Sequence, residues 1–425
     1  MAKCAYFFSH KTSLKFCHSR RSRFLRTCNQ TLNVRKFTTD RPAIILGIET
    51  SCDDTGCGII DTSGKVLGEA IHSQLLTHLK HGGIIPTIAA EMHRQHITTV
   101  CENALKSANL RLKNIDAIAT TTKPGLPLSL SIGNRFGKYL CRVGNKPYIP
   151  IHHMEAHALT VRMVEKVDFP YLVLLISGGH CLLAIVENVD KFYILGTTVD
   201  NAPGEILDKI ARRLKLANLP EFSHMSGGQA IESAASKASD PTKFIFEPIL
   251  TRRRDCQFSF AGISNKSFRY IDEQEKNFNV ADSMIIPDIY NFCAALQLSL
   301  AKHICLRTQR AMEFIINMNL ISQEKRTLVI SGGVACNNFF ARALEIVCSQ
   351  RGFNFVRTPP HLCNDNGIMI AWNGAEKWKV NADVLRNTEE IEMVTTEKNA
   401  LFGESWIERV KDANIKCKLV KLNNL

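Results

Sequence analysis

No C-x-x-C pair occurs in the 425 residues, although the chain holds 15 cysteines, an odd number. That scatter excludes a disulfide framework of the secreted kind. Cys101, Cys181, Cys293 and Cys348 sit inside apolar runs, where a thiol behaves as a small hydrophobe, and the usage fits a reducing interior compartment. A long unbroken apolar run is also missing. The longest, near 170–186, is interrupted by Gly178-Gly179-His180, so no transmembrane helix and no membrane insertion are expected.

Acid is missing from residues 1–39, which carry nine Lys or Arg; subtracting those nine from the formal net charge of +13 leaves +4 for the rest. The basic balance of the whole chain is therefore a property of its first segment. That segment is rich in Ser, Thr and Arg and has no apolar core, the composition of a mitochondrial transit peptide rather than a secretory signal. Residues 1–39 are expected to direct import into the mitochondrion and to be lost, with cleavage near Arg35–Thr39. The remainder has ordinary globular content, 45% hydrophobic and 22% charged, and enough length for two or three domains.

A third absence concerns chemistry. In "HHMEAHAL" (152–159) His153 and His157 are four apart, on one face of a helical turn, and can share a divalent metal. The H-E-x-x-H proteases carry their general base directly after the first His. Here the acid is Glu155, one position later. At roughly 100° per residue it points away from any ion the two imidazoles share. Spacing alone leaves open whether the pair binds metal at all.

What is present is a pattern that occurs twice. Residues 43–71 read as three short strands, Ile44–Glu49, Gly56–Asp61 and Lys65–Ile71, followed by a helix over 86–110. Residues 171–200 read the same way, with strands Tyr171–Ile176, Cys181–Glu187 and Lys191–Thr197 before a helix over 204–216. A buried strand also runs into Gly332-Gly333 in "LVISGGVACNN" (328–338). Three such turns at the ends of apolar strands suit a nucleotide's phosphates, because Gly lets the backbone approach and exposed N–H groups meet the anion. The pattern predicts an α/β chain of two lobes with a nucleotide cleft between them.

The motifs "GIETSCDDT" (47–55), "HHMEAHAL" (152–159), "LISGGH" (175–180), "GEILDK" (204–209), "SGGVACNN" (331–338) and "NDNG" (364–367) occur in this order. In that order the chain resembles the universal tRNA threonylcarbamoyl transferases, and within them the organellar branch, over roughly residues 43–378. The resemblance implies an actin/hexokinase-like α/β fold, two-lobed and built on a duplicated ribonuclease H-like unit. It implies an N-terminal lobe over 40–165, a C-terminal lobe over 166–378 and an extension over 379–425. The activity implied is transfer of a threonylcarbamoyl group from threonylcarbamoyl-AMP to N6 of the adenosine beside the anticodon of tRNAs reading A-starting codons. The implied partners are tRNA, threonylcarbamoyl-AMP or another adenine nucleotide, and a second copy of the chain.

Carried over by position, the resemblance implies that His153, His157 and Asp365 hold one divalent metal ion (iron, zinc or magnesium). The turn Ile176, Ser177, Gly178, Gly179 and His180 would wrap the donor's phosphate and carbamoyl end. Asp208, Gly228 and Glu232 would contact the nucleotide, with Cys336 and Asn337 on its adenosine side and Asn364 beside the metal ligand. Asp53 and Asp54 match the acidic pair that does acid–base work, which a poorly nucleophilic exocyclic amine needs. Asp54 stands where many relatives of that family have Glu, and Asn201, Asn364, Thr87 and Glu91 also depart from the commoner pattern. For tRNA the candidates are Arg212, Arg213 and Lys215, the run Arg252-Arg253-Arg254, and Lys266 with Arg269. Two competing readings are a metal-dependent peptidase and an ATP-binding, kinase-like protein of the same fold.

Overall fold

A computed structural model of the chain describes residues 41–81, 83–280 and 284–422; the expected targeting segment, 1–39, lies outside them. Ile44–Glu49 (β1), Asp54–Asp61 (β2) and Val66–Ser73 (β3) form an antiparallel meander. Ala117–Lys123 (β4) and Tyr148–His152 (β5) extend it in parallel, giving the order β3-β2-β1-β4-β5. The second sheet repeats this plan. Tyr171–Ile176 (β6), Cys181–Asn188 (β7) and Lys191–Thr197 (β8) are its meander, and Thr327–Ser331 (β9) and Asn354–Arg357 (β10) its parallel strands. Read from the meander edge, its order is β8-β7-β6-β9-β10, with the two-residue Glu404–Ser405 (β11) added beside β8. The duplication read from the sequence is thus a duplication of topology, and the expected strands lie within two residues of the observed ones.

The local reasons are visible along the chain. All six residues of β6 are buried, as expected of a central strand covered on both faces. Each fully buried Leu, Ile or Val contributes roughly 1.5–3 kcal/mol. The helices Pro86–Ser107 and Pro127–Gly144 both begin with Pro, whose fixed φ suits the first helical position. The 29-residue helix Ile289–Asn317 runs through the interior of the second lobe, with Leu296, Leu300, Ile304, Ala311 and Ile315 buried. Among the described residues no helix is long and apolar enough to cross a membrane.

One long-range contact ties the late chain to the early chain. The helix Gly367–Val380 packs on β1 and β2 of the first sheet, backbone against backbone. A Cβ at Gly47 would lie 2.3 Å from the Ala371 nitrogen, one at Gly58 2.4 Å from the Ile368 nitrogen, and one at Gly367 2.2 Å from the Gly58 nitrogen. Gly47 and Gly58 are register partners across β1 and β2, so together they form a smooth groove for the helix. The chain beyond it binds both sheets. Lys138 donates to the carbonyls of Glu392 (2.7 Å) and Val394 (2.9 Å), and Trp406 stacks on Tyr193 with ring centroids 3.9 Å apart.

Gly47→Ala and Gly58→Ala should each destabilise the protein by roughly 1–3 kcal/mol or more, because the added methyl meets backbone that cannot move aside. Gly178→Ala is the contrast: its Cβ would meet nothing within 4 Å, and stability should stay within about 0.5 kcal/mol. Urea or thermal denaturation of the three variants checks this; equal losses in all three would refute the groove.

Candidate active site

β5 ends at His152, and the chain turns directly into the helix His153–Leu159. The rings of His153 and His157 meet edge to face with centroids 4.6 Å apart. Asp365 lies just before the helix that occupies the glycine groove. Its Oδ1 is 3.1 Å from His157 Nε2 and 3.5 Å from His153 Nε2. The ligand atoms of all three residues fall within 4.8 Å of one another. Two imidazole nitrogens and a carboxylate oxygen converging this closely are a donor set that fits a single divalent cation.

A fourth residue completes the arrangement. Glu49, the last residue of β1, is fully buried and accepts from Thr121 Oγ1 at 2.6 Å and from the Ser51 N–H. Its Oε2 is 3.3 Å from His153 Nδ1, and Ser51 Oγ is 3.2 Å from the same nitrogen. A carboxylate behind one imidazole nitrogen fixes the ring so that the other faces the ligand site. Burial alone would lower the His153 pKa, but Asp365 and Glu49 outweigh it and push it up to about 9. Asp365 is held well below the usual carboxylate range, against its own burial, by His153 and His157. Two carboxylates around buried imidazoles call for positive charge, which a divalent ion supplies to both at once. Glu155 takes no part: its carboxylate pairs with Lys377 at 3.2 Å, and Lys377 also binds Asp383 at 2.8 Å.

The turn after β6 faces the same space. Ser177 Oγ accepts from the His180 N–H at 3.1 Å, and the Ser177 N–H donates to the His180 carbonyl at 2.9 Å. Gly178 and Gly179 are exposed above this closed turn. The His180 ring lies 6.5 Å from that of His153. Burial, assisted by the two neighbouring imidazoles, pushes it down to about 4, so it is neutral near pH 7. Ile176 is fully buried at the end of β6. Its carbonyl would be 2.5 Å from a Cβ at Gly332, which also has φ +98°; only glycine fits there.

The remaining expected contacts form a row of helix starts. Asn337 caps Asn338–Arg351 by accepting from the Phe340 N–H at 3.0 Å, and Glu232 accepts from the Asn338 N–H at 2.8 Å. Asp208 accepts from the backbone of Gly227 and Gly228 at the start of Gly227–Ala235. Asp208 and Glu232 therefore already serve protein amides, alongside any ligand role. Asn364 approaches Gly333, and Cys336 is half-buried beside Asn337.

Asp53 lies in the turn between β1 and β2, and Asp54 opens β2 opposite Ser73. Burial pushes Asp54 up to about 7, against a hydrogen bond from Ser73, and burial also raises Asp53. Both feel the negative charge of Asp365. The turn is pinned by His93, whose Nδ1 is 2.7 Å from Thr55 Oγ1 and whose Nε2 is 3.0 Å from the Cys52 carbonyl. Sequence reasoning missed Glu49 and His93. An acid closing an otherwise apolar strand was the available signal for Glu49; His93 had only its place on the inward face of a helix.

The basic candidates differ in their surroundings. Arg213 forms a fork with Glu275 (2.7 and 2.6 Å) and reaches Asp272 (2.7 Å), and Lys215 binds Glu275 at 2.9 Å. Arg253 bonds to Asp255 and Arg254 to Asn414, whereas Arg212, Arg252 and Arg269 are exposed. Lys266 lies over the Tyr270 ring. The backbone of the Arg252–Arg254 run is anchored by fully buried Arg307, which donates to the carbonyls of Leu250 (2.8 Å) and Asp255 (3.1 Å).

Comparison with known proteins agrees with this geometry. Over residues 65–372 the chain matches the family described as tRNA N6-adenosine threonylcarbamoyltransferase. It is 46% identical over 381 residues to a Xenopus tropicalis protein named "tRNA N6-adenosine threonylcarbamoyltransferase, mitochondrial", covering 90% of this chain and 93% of that one. The Homo sapiens protein of the same name is 45% identical over 379 residues, covering 89% and 91%. Among solved structures, that of T. kodakarensis HypF superposes with a TM-score of 0.51 at 13% identity, over 80% of this chain and 48% of that one, a likeness of fold alone. With its two-sheet actin/hexokinase-like architecture and its His-His-Asp cluster, the chain belongs to the tRNA N6-adenosine threonylcarbamoyltransferase family.

Proposed function

We propose that the protein transfers the threonylcarbamoyl group of threonylcarbamoyl-AMP to N6 of the adenosine next to the anticodon in mitochondrial tRNAs reading A-starting codons. The observation that carries this is the convergence of His153, His157 and Asp365 beside the Ser177–His180 turn in a member of this family. The relatives' mitochondrial names and the acid-free basic segment support location in the mitochondrion, with residues 1–39 as the import signal. Lobes 40–165 and 166–378 enclose the donor in this reading, with the helix Gly367–Val380 fastened to the first sheet and 379–425 strapping both sheets.

His153, His157 and Asp365 would hold the metal, with Glu49 fixing the His153 ring. A bound divalent ion supplies Lewis-acid polarisation of donor oxygens. The protein's own groups do the rest. The N–H groups of the Ser177–His180 turn face the donor's phosphate end, and neutral His180 offers a hydrogen bond without adding charge. Asp208, Gly228, Glu232, Cys336, Asn337 and Asn364 line the nucleotide side. Asp54, with Asp53 beside it, accepts the proton from N6 as the amine's lone pair forms the new bond to the carbonyl carbon. The bond from that carbon to the phosphate oxygen breaks, and AMP leaves with the electron pair. Glu155, held by Lys377, cannot serve as the water-activating base of a peptidase. The basic residues still exposed, Arg212, Arg252 and Arg269, are proposed to meet tRNA phosphates. A second copy of the chain belongs to the same reading, supported by exposed Ile71, Leu75, Leu76 and Ile84 beside β3.

The primary test offers purified protein a tRNA and threonylcarbamoyl-AMP, followed by mass analysis of nucleosides; proteolysis requiring Glu155 without tRNA modification would overturn the reading. Asp54→Asn should slow single-turnover transfer by about 10²–10⁴-fold with donor binding little changed. A base works deprotonated, so wild-type transfer should fall as pH drops through about 7 and approach a plateau above it. The variant should lose that dependence, and a rate or pH profile like the wild type's would return Asp54 to a structural role.

Metal affinity provides an independent check. Glu49→Gln should weaken it by about 10–100-fold, the usual scale for the residue behind a metal-bound imidazole. Asp365→Asn should cost more, and Glu155→Gln far less. Metal content by plasma emission and competition titration would decide; unaltered metal content in Asp365→Asn would contradict the assignment.

A further inference from the structure

Of the described cysteines only Cys52, Cys336 and Cys417 are partly exposed; the others are buried. Burial pushes Cys417 up to about 12 and Cys52 higher still, which leaves them inert. Cys336 differs. It ends the short helix Gly333–Cys336, and Cys363 ends the short helix Pro360–Cys363. These two segments lie side by side: Cys336 Sγ is 3.8 Å from the Pro360 carbonyl, and Arg357 donates to the Cys336 carbonyl. The two thiols hydrogen-bond to each other, and Cys363 Sγ also lies 3.1 Å from the Thr358 carbonyl. The hydrogen bond from Cys363, then the Arg357 guanidinium, bring the Cys336 thiol down to about 7, so much of it is thiolate at neutral pH. Cys57 and Cys101 also hydrogen-bond, but both are buried out of an oxidant's reach.

We propose that Cys336 and Cys363 are a peroxide-responsive dithiol–disulfide pair that closes the adenosine side of the cleft when oxidised. The accessible Cys336 thiolate attacks one oxygen of a hydroperoxide such as hydrogen peroxide. The O–O bond breaks, leaving a sulfenic acid on Cys336 and a hydroxide that takes up a proton to become water. The Cys363 sulfur then attacks the Cys336 sulfur, the S–O bond breaks, and the departing hydroxide leaves as water with the Cys363 proton. In balance, two thiols and one peroxide give one disulfide and two waters, and a dithiol reductant reverses it.

The consequence follows from place. Closing from hydrogen-bond contact to an S–S bond of about 2.05 Å draws the two segments together. Asn337, which caps its helix, follows Cys336 directly, and Asn364 and Asp365 follow Cys363. Oxidation therefore shifts the nucleotide side and the ligand carboxylate together. This consequence, though not the thiol chemistry, rests on the cleft reading above.

The test treats the purified full chain with stoichiometric hydrogen peroxide and maps peptides without reduction. The expected product is a cross-linked pair holding Cys336 and Cys363, two hydrogens lighter than the free peptides and released by dithiothreitol. Adenine-nucleotide affinity by calorimetry should drop on the order of tenfold to a hundredfold, the scale of a misplacement of about 1 Å, and return on reduction. In Cys363→Ser and Cys363→Ala, Cys336 should proceed to sulfinic acid, from which the wild type is protected. The cross-link is read on the wild type and so survives a misfolded variant. Sulfinic acid at Cys336 in the wild type, or an unmodified Cys336, would overturn the pair. A cross-link that leaves affinity unchanged would overturn the closure. Failure of the reduced protein to bind adenine nucleotides would instead count against the cleft reading, with the cross-link still deciding the thiol chemistry.

Discussion

The contact between the helix Gly367–Val380 and the β1–β2 pair is the constraint on which the site depends. The side chain that Gly47, Gly58 and Gly367 lack is the thickness the contact cannot accommodate. Because backbones meet directly, the helix has one seat, and Asp365, immediately before it, inherits that position. The carboxylate arrives within reach of two imidazoles more than two hundred residues earlier in the chain. A looser contact through long side chains would let the carboxylate wander by an ångström or more, enough to spoil a three-ligand site.

A second constraint is electrostatic. Glu49 and Asp365 approach His153 from opposite nitrogens, in a region where unpaired charge is costly. Glu49 is satisfied by Thr121, Ser51 and His153 together, so it stays ionised in spite of complete burial. The neighbouring Asp54 lacks such a set of donors, and burial dominates. The same residue type, carboxylate, thus takes two roles within one cleft: a fixed anion that orients an imidazole, and a proton acceptor poised near neutrality. Similar logic explains why Glu155 is silent, since Lys377 compensates it away from the cleft.

Much of the fold was legible before the coordinates. The two meanders follow from alternating short apolar runs and turns, and Ile44–Glu49, Tyr171–Ile176 and Lys191–Thr197 have the expected bounds. The direction of Glu155 follows from helical geometry alone. The triad and the nucleotide-side residues were legible only through ordered motifs shared with a family, because no local pattern links Asp365 to His153. Asp208 and Glu232 show the limit: read as ribose ligands, they also accept from the amides of Gly227, Gly228 and Asn338. Arg213 and Lys215, read as an RNA-facing cluster, sit in an ion-pair network with Glu275. Partners supplied by distant segments are invisible in a one-dimensional pattern.

The sequence by itself determined the strand and helix periods, the turn glycines, the acid-free basic leader and the i, i+4 histidines, all of which are local consequences of side-chain spacing and backbone freedom. Only the tertiary structure decided that the late helix returns to the first sheet, that Glu49 stands behind His153, that His93 pins the Asp53–Asp54 turn, and that Cys336 meets Cys363. Each joins segments far apart in sequence, and which distant groups meet is set by how whole elements pack. Hydrophobic burial is non-directional and fixes that packing only through the shape of every surface at once.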